Sequence, residues 1–171
     1  MLPIITFIGW HNSGKTTLVT TVVSHLKQRG YRVAVIKSTK EQGIAFDTPG
    51  TDTDRHRQAG AETVLLVAPD QMTMISKRTD KSLIELARRF CPDVDLVIGE
   101  GFKGAQGVPK IEVRREADQP LLRDQVEGVI AVATDLVIPE APDCARFRLD
   151  QGLELADFIE KYLRLECVGR D

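Results

Sequence analysis

GWHNSGKT, at residues 9–16, fits the phosphate-binding pattern GxxxxGK[ST]. The apolar run at residues 4–8 precedes it, and apolar residues with helical spacing begin directly after it. In such a loop the glycines let backbone N–H groups surround an anion, Lys15 adds a positive charge, and the Thr16 hydroxyl can bind Mg²⁺. The helix that follows also directs its positive end at the anion. The stretch therefore predicts a site for a nucleoside diphosphate or triphosphate rather than an ordinary glycine-rich turn.

Size and charge restrict the class of protein around this loop. The chain has 171 residues, which fits a single nucleotide-binding domain over residues 1–171. Its 23 basic and 25 acidic residues give a net charge of -2, so no overall field draws it to nucleic acid or to an acidic membrane. The first apolar run is too short to cross a bilayer and has no basic segment before it, so we expect a cytoplasmic protein.

The cysteines and histidines show no metal-ligand spacing. Cys91, Cys144 and Cys167 are far apart and form no CxxC pair, which favours reduced, buried thiols. His11, His25 and His56 also have no partner at a ligand spacing. His11 is expected to contribute only a backbone N–H to the phosphate loop.

Apolar runs alternate with helical patterns through most of the chain, which is typical of an α/β fold. We predict a three-layer fold like that of P-loop NTPases, with a mostly parallel sheet, one antiparallel hairpin and helices on both faces. The strands are predicted at residues 4–8, 33–36, 63–68, 72–76, 94–98, 111–114, 129–133 and 146–149. The two runs around Pro69 are predicted to form the hairpin, at a sheet edge.

Four helices are predicted between these strands. The first ends near Gly30, and a long functional loop at residues 37–50 leads to a short polar helix that starts at residues 52–54 and ends near Gly60. Asp80 is expected to cap the third helix, and Pro92 to end it. Its predicted core face is Leu83, Ile84, Leu86, Ala87 and Phe90, and that of the last helix is Leu155, Ala156, Ile159, Tyr162 and Leu163.

In an open parallel sheet the ligand binds outside the carboxyl ends of the strands. Glu100 follows the strand at 94–98, where it can contribute to the surroundings of Mg²⁺ or position a water, or be only a solvated loop carboxylate. Lys37 and Ser38 follow the second strand. Asp135, after Thr134 and the strand at 129–133, could accept two hydrogen bonds from guanine, or be an ordinary turn residue.

A small basic cluster is formed by Arg55, His56 and Arg57. It is either a solvated helix face or an anion-binding surface for a second, phosphate-bearing ligand or a partner protein.

Several segments together resemble the molybdopterin-guanine dinucleotide biosynthesis protein B family. They are GWHNSGKTTL (9–18), VIK (35–37), FDTPGTDTDRHRQAGA (46–61), DLVIGEGFK (95–103), PKIEV (109–113) and IAVATD (130–135). The likeness covers most of the chain. The segment at residues 46–61 and the EGFK element at residues 100–103 are far more specific to this family than the phosphate loop is. The resemblance implies a GTP-binding, weakly hydrolysing, usually dimeric protein that assists a separate guanylyltransferase in attaching GMP to molybdopterin.

Site residues follow from the loop, the sheet edge and this resemblance. The nucleotide is expected at Gly9, Trp10, His11, Asn12, Ser13, Gly14, Lys15, Thr16, Thr17, Thr134 and Asp135. The resemblance places Asp47 and Asp52 near the metal, so the expected Mg²⁺ set is Thr16, Asp47, Asp52 and Glu100, with Lys15 and Glu100 as the catalytic residues. A second ligand or partner is expected at Lys37, Arg55, His56, Arg57 and Lys103.

The chain departs from the family pattern in the loop after the second strand. Residues 38–43 read STKEQG where many members carry a histidine-rich segment, and Thr51 stands where lysine is common. A small-molecule kinase with Glu100 or Asp52 orienting the acceptor hydroxyl is the alternative function, although no arginine-rich lid is recognisable. A metal-insertion GTPase is the third functional class, but this sequence shows no His/Cys cluster of the kind that such proteins need to bind the metal.

Overall fold

The computed structural model describes residues 2–77, 80–140 and 143–164. They form two compact units, one of residues 2–39, 81–140 and 143–164 and one of residues 40–77 and 80. In chain order the elements are β1 (Ile4–Ile8), α1 (Lys15–Gln28), β2 (Val33–Lys37), α2 (Asp52–Gln58), β3 (Thr63–Val67), β4 (Met72–Ser76), α3 (Leu83–Phe90), β5 (Leu96–Glu100), β6 (Lys110–Val113), a 3-10 turn (Leu122–Asp124), β7 (Val129–Ala133), β8 (Ala145–Phe147) and α4 (Gly152–Leu163).

The larger unit contains a six-stranded sheet in the order β2-β5-β1-β6-β7-β8, and all its strand pairs are parallel. From β1 the chain continues to β2 on one side, whereas β6, β7 and β8 lie on the other. In open α/β sheets, such a reversal marks the place where ligands bind, at the carboxyl ends of the strands. The loop at residues 9–14 lies there, between β1 and α1.

Helices cover both faces of this sheet, as predicted. Phe7, Ile98 and Ile111 are fully buried in one core with apolar residues of α1 and α4. On the opposite face α3 packs closely, because a Cβ on Gly99 would lie 2.7 Å from Leu83 Cδ2. Glycine at position 99 therefore lets α3 approach β5.

The ends of α1 and α3 show how the sequence sets helix boundaries. Gly30, at φ 88°, donates to Lys27 O while Tyr31 N–H donates to Leu26 O, so α1 ends near Gly30 as predicted. The predicted cap of α3 was wrong: Ser82, not Asp80, caps it. The Ser82 hydroxyl accepts from the Glu85 N–H, and the Glu85 carboxylate accepts from the Ser82 N–H.

Strand β5 lies two residues later than predicted. The Arg32 N–H and guanidinium donate to the Asp95 carboxylate before the strand begins, and Asp95 N–H donates to Arg32 O. Glu100 is therefore the last residue of the buried strand and not part of the loop after it.

The smaller unit contains α2, β3 and β4. Thr51 caps α2 by accepting from the Asp54 N–H, so the short polar helix starts where predicted. The hairpin is present, but its predicted place at a sheet edge was wrong. Among the described residues its strands pair only with each other, in a separate two-stranded antiparallel sheet.

Some predicted core positions are exposed. Phe90 and Tyr162 keep 44% and 48% of their surface in contact with solvent. Cys91 and Cys144 are free thiols but only half-buried, and Cys167 lies outside the described residues. Within the described ranges, no helix has both the length and the apolar character needed to cross a membrane.

Candidate phosphate and metal site

The loop between β1 and α1 has a backbone that only certain residues allow. Gly14 caps α1 in the left-handed region at φ 90°, and Asn12 is also left-handed at φ 58°. A Cβ on Gly9 would lie 2.4 Å from Val113 O and 2.6 Å from Ser13 Oγ. These glycines let the chain curve tightly at the positive end of α1, which suits an anion.

Lys15 is folded across this loop. Its Nζ donates to Trp10 O at 2.6 Å, to Gly9 O at 3.2 Å and to Ser13 Oγ at 3.2 Å. Partial burial lowers the pKa of Lys15; Glu100 opposes this change, whereas Lys103 and Lys37 add to it. A bound phosphate would supply the negative charge that favours protonated Lys15.

Thr16, Lys37 and Glu100 meet beside the loop. Thr16 Oγ1 donates to Glu100 Oε1 at 2.6 Å, and Lys37 Nζ lies 3.2 Å from the same carboxylate oxygen. Lys37 Nζ also lies 3.4 Å from Thr16 Oγ1. The contact follows from the sheet register, because Lys37 and Glu100 are direct neighbours on β2 and β5. The Glu100 side chain is only 7% exposed, against 57% for Lys37.

The oxygen atoms of Thr16 and Glu100 fit a Mg²⁺ ion, which prefers hydroxyl, carboxylate, phosphate and water oxygens. Within the described ranges, no three His, Cys, Asp or Glu side chains form a group that could hold a metal. A metal at this site would therefore need oxygens of a bound phosphate and waters to complete its ligands.

Lys103 lies above the indole of Trp10, with Nζ 3.9 Å from the ring centroid. Trp10 Nε1 donates to Pro120 O at 3.0 Å, which holds the indole against the segment after β6. Lys103 thus extends the row of positive charges along the loop.

Thr134 and Asp135 lie at the carboxyl end of β7. Thr134 is fully buried, and its hydroxyl accepts from the Leu136 N–H. Asp135 Oδ1 accepts from the Leu149 N–H at 3.2 Å and lies 3.8 Å from Arg148 Nε. The Asp135 side chain is 56% exposed, so it remains accessible to a ligand.

The remaining predicted residues belong to the smaller unit. The hydroxyl of Thr53, then that of Thr51, keeps the pKa of Asp47 below its usual value. Arg57 lies 3.9 Å from Asp47 and 4.0 Å from Asp54, so it has carboxylate neighbours within its own unit. The Arg55 and Asp52 side chains are 3.8 Å apart and largely exposed, and His56 is exposed beside them on α2.

Arg114 and Arg115 were missed from the sequence. Arg115 lies against Gly14, with Nη2 3.2 Å from the position of a Cβ there, and Arg114 is buried beside His11 and Ser13. Both directly follow β6, so the rule that points to residues at the carboxyl ends of strands could have found them.

Comparison with known proteins identifies the family of this chain. The model of the family described as Molybdopterin guanine dinucleotide synthesis protein B matches residues 4–135. A molybdopterin-guanine dinucleotide biosynthesis adapter protein of Haemophilus influenzae is 36% identical over 165 residues, covering 95% of this chain and 90% of the relative. One of the same description from Escherichia coli is 30% identical over 172 residues, covering 96% and 95%.

Solved structures show the same fold. A crystal structure of molybdopterin-guanine biosynthesis protein B superposes with a TM-score of 0.73 at 28% identity, over 94% of this chain and 99% of the other. Bacillus subtilis MobB gives a TM-score of 0.75 at 24% identity, over 96% and 98%. The chain therefore belongs to the molybdopterin guanine dinucleotide synthesis protein B family, whose curated members are described as biosynthesis adapter proteins.

Proposed function

We propose that this chain is a GTP-binding, weakly GTP-hydrolysing adapter in molybdopterin guanine dinucleotide biosynthesis, and that it assists a guanylyltransferase. The observation that carries the proposal is the contact of Thr16, Lys37 and Glu100 beside a phosphate loop, in a member of this family. The loop supplies anion binding, and the cluster supplies oxygens for Mg²⁺.

Charge supports a polyphosphate ligand at this site. Lys37 and Lys103 both lie close enough to Lys15 to lower its pKa, and the Glu100 carboxylate acts against them. This excess of positive charge suits a phosphate chain that brings several negative charges together with a divalent metal.

Slow hydrolysis is supported by the surroundings of Glu100. Its Oε1 already accepts from Thr16 and pairs with Lys37, so this oxygen is not free to remove a proton from water. In our proposal Glu100 holds the Mg²⁺ surroundings and orients water through its other oxygen, while Lys15 stabilises charge on the phosphate.

Guanine selection is assigned to Asp135, which follows β7 at the carboxyl edge of the sheet and keeps an exposed carboxylate. A carboxylate accepts from both N–H groups on the Watson-Crick edge of guanine, and adenine lacks this pair.

Partner recognition is assigned to charged and apolar surfaces. Lys37 and Lys103 would meet the phosphate of molybdopterin or the guanylyltransferase, and the Arg55, His56 and Arg57 face would serve the same partners. We assign a homodimer contact to the hairpin, where Leu66, Val67 and Met72 are 53%, 70% and 65% exposed. We place the protein in the cytoplasm.

The proposal is tested by titrating GTP and ATP, each with Mg²⁺, against the intact chain and Lys15→Ala. We expect GTP to bind more tightly than ATP, Lys15→Ala to lose most affinity, and single-turnover hydrolysis to be slow. Lys27→Ala is the matched control, because Lys27 is an exposed lysine in the last turn of the same helix.

Unchanged GTP binding by Lys15→Ala would contradict the assignment of the phosphate site. Rapid transfer of the terminal phosphate to a small acceptor would instead support the kinase alternative.

A further inference from the structure

Arg115 presents its guanidinium group to the phosphate loop. Nη2, Cζ and Nε lie 3.2, 3.6 and 3.8 Å from the position that a Cβ on Gly14 would occupy. Gly14 caps α1 and directly precedes Lys15. The guanidinium therefore lies at the positively polarised end of α1, where an anion is electrostatically favoured.

This guanidinium has no structural partner in the chain as described. Arg115 is exposed, and its side chain takes part in no hydrogen bond or ion pair with any residue of the described ranges. A cation against the positive end of a helix and a loop that already carries Lys15 is electrostatically unfavourable. Its position is thus not explained by stabilisation of the fold.

Arg114 gives a second, independent observation beneath the same loop. Its side chain is 8% exposed, and Nη2 donates to Ala117 O at 2.9 Å. Its Nε and Nη1 are buried and have no acceptor among the residues that the structure describes. It lines a cavity of about 10 Å³ with Trp10, His11 and Ser13, which has room for about one water. Burying a cation costs free energy of folding unless an anion lies near it.

We infer that Arg115 is a phosphate-binding arm of the nucleotide site, and that the buried charge of Arg114 supports it from below. The ligand class is a nucleoside diphosphate or triphosphate, and the inference rests on the nucleotide binding proposed above. A planar guanidinium can donate two parallel hydrogen bonds to phosphate oxygens, which a lysine at this position could not do.

The experiment is a calorimetric titration of GTP and GDP with Mg²⁺ against the intact chain, Arg115→Ala and Arg115→Lys. We expect Arg115→Ala to weaken both nucleotides by about tenfold or more, because charge-assisted hydrogen bonds are lost. Arg115→Lys should recover only part of the affinity, since lysine restores the positive charge but cannot donate two parallel hydrogen bonds. Arg88→Ala should bind as the intact chain does, because Arg88 is an exposed arginine on α3, which leads to the amino end of β5.

Separate outcomes overturn the two proposals. If Lys15→Ala loses affinity but Arg115→Ala binds both nucleotides as the intact chain does, the inference about Arg115 is wrong and the nucleotide site stands. If Arg115→Lys bound both nucleotides as tightly as the intact chain, charge attraction alone would explain the affinity, and the proposed paired hydrogen bonds of Arg115 would be wrong. If the intact chain binds neither nucleotide, both proposals fail. Unchanged thermal unfolding of Arg115→Ala will show that lost binding is not lost folding.

Discussion

Glu100→Gln is the most informative change at this site, because it removes the only negative charge in the Thr16, Lys37 and Glu100 cluster while keeping its shape. The amide oxygen of glutamine can still accept from Thr16, and only a partly exposed ion pair with Lys37 is lost. We therefore expect the free energy of unfolding to change by no more than about 1 kcal/mol.

Nucleotide binding should respond in opposite directions with and without Mg²⁺. Two unit charges 4 Å apart interact by about 4 kcal/mol at an effective dielectric constant of about 20. A phosphate on the loop would be farther from Glu100 and partly screened, so removing this repulsion is worth about 1 kcal/mol, or about fivefold in affinity. Without Mg²⁺, Glu100→Gln should bind GTP about fivefold more tightly.

Mg²⁺ should increase the GTP affinity of the same variant only slightly, because the metal has lost an oxygen ligand or a supporting negative charge. Single-turnover hydrolysis should fall by about tenfold to a hundredfold. The assay is calorimetric titration of GTP with Mg²⁺ and with EDTA, together with measurement of released phosphate. Glu127→Gln is the control, since Glu127 is an exposed acid at the amino end of β7, opposite the loop.

If Glu100→Gln kept the Mg²⁺ dependence of the intact chain, Glu100 would have no part in holding the metal. If the variant bound GTP more weakly in EDTA, Glu100 would favour the phosphate and not repel it. Either result would overturn the role assigned to Glu100.

Three further predictions concern the base, the charge of Lys15 and the packing of α3. Asp135→Asn should reduce the preference for GTP over ATP by at least about tenfold in competition titrations, and Asp93→Asn, at the amino end of β5, should not. Burial is the main cause that lowers the pKa of Lys15, and Lys103 and Lys37 add to it. Lys15 therefore loses its proton below the usual lysine pKa of about 10.4, and GTP affinity should fall as the pH rises through the lowered pKa. Lys103→Gln removes one of the repelling charges, so the fall in affinity should move to higher pH. Gly99→Ala should lower the free energy of unfolding, measured in urea, by about 1–3 kcal/mol, because the added Cβ would lie 2.7 Å from Leu83 Cδ2. Gly104→Ala is the control. A Cβ at position 104 would have no neighbouring atom within 4 Å, so this free energy should change by less than about 0.5 kcal/mol.

The elements of the larger unit could be predicted because each gives a local signal. Apolar runs at strand spacing and the glycine that ends α1 depend only on neighbouring residues. The start of β5 could not be placed, since it depends on Asp95 accepting from Arg32, which is distant in sequence. The last strand residue, Glu100, is buried because Thr16 and Lys37 reach it from two other elements.

The smaller unit shows a different limit. The hairpin strands and the capped helix follow from local turn and cap residues. Which sheet a hairpin joins depends on long-range pairing, for which the sequence of an isolated strand pair carries little signal. Its predicted place at an edge of the main sheet was therefore wrong, although its strands were right.

A chain with a net charge of -2 can still hold a strongly cationic site, because the charges that matter are gathered by topology. Lys15 follows β1, Lys37 ends β2, Lys103 follows β5 and Arg115 follows β6, so four separate strand ends bring a cation to one edge of the sheet. Glu100 stands against them and also offers the oxygen that a metal would need. Nucleotide and Mg²⁺ should therefore bind as one unit, since phosphate neutralises the cations while the metal neutralises Glu100 and the remaining phosphate charge.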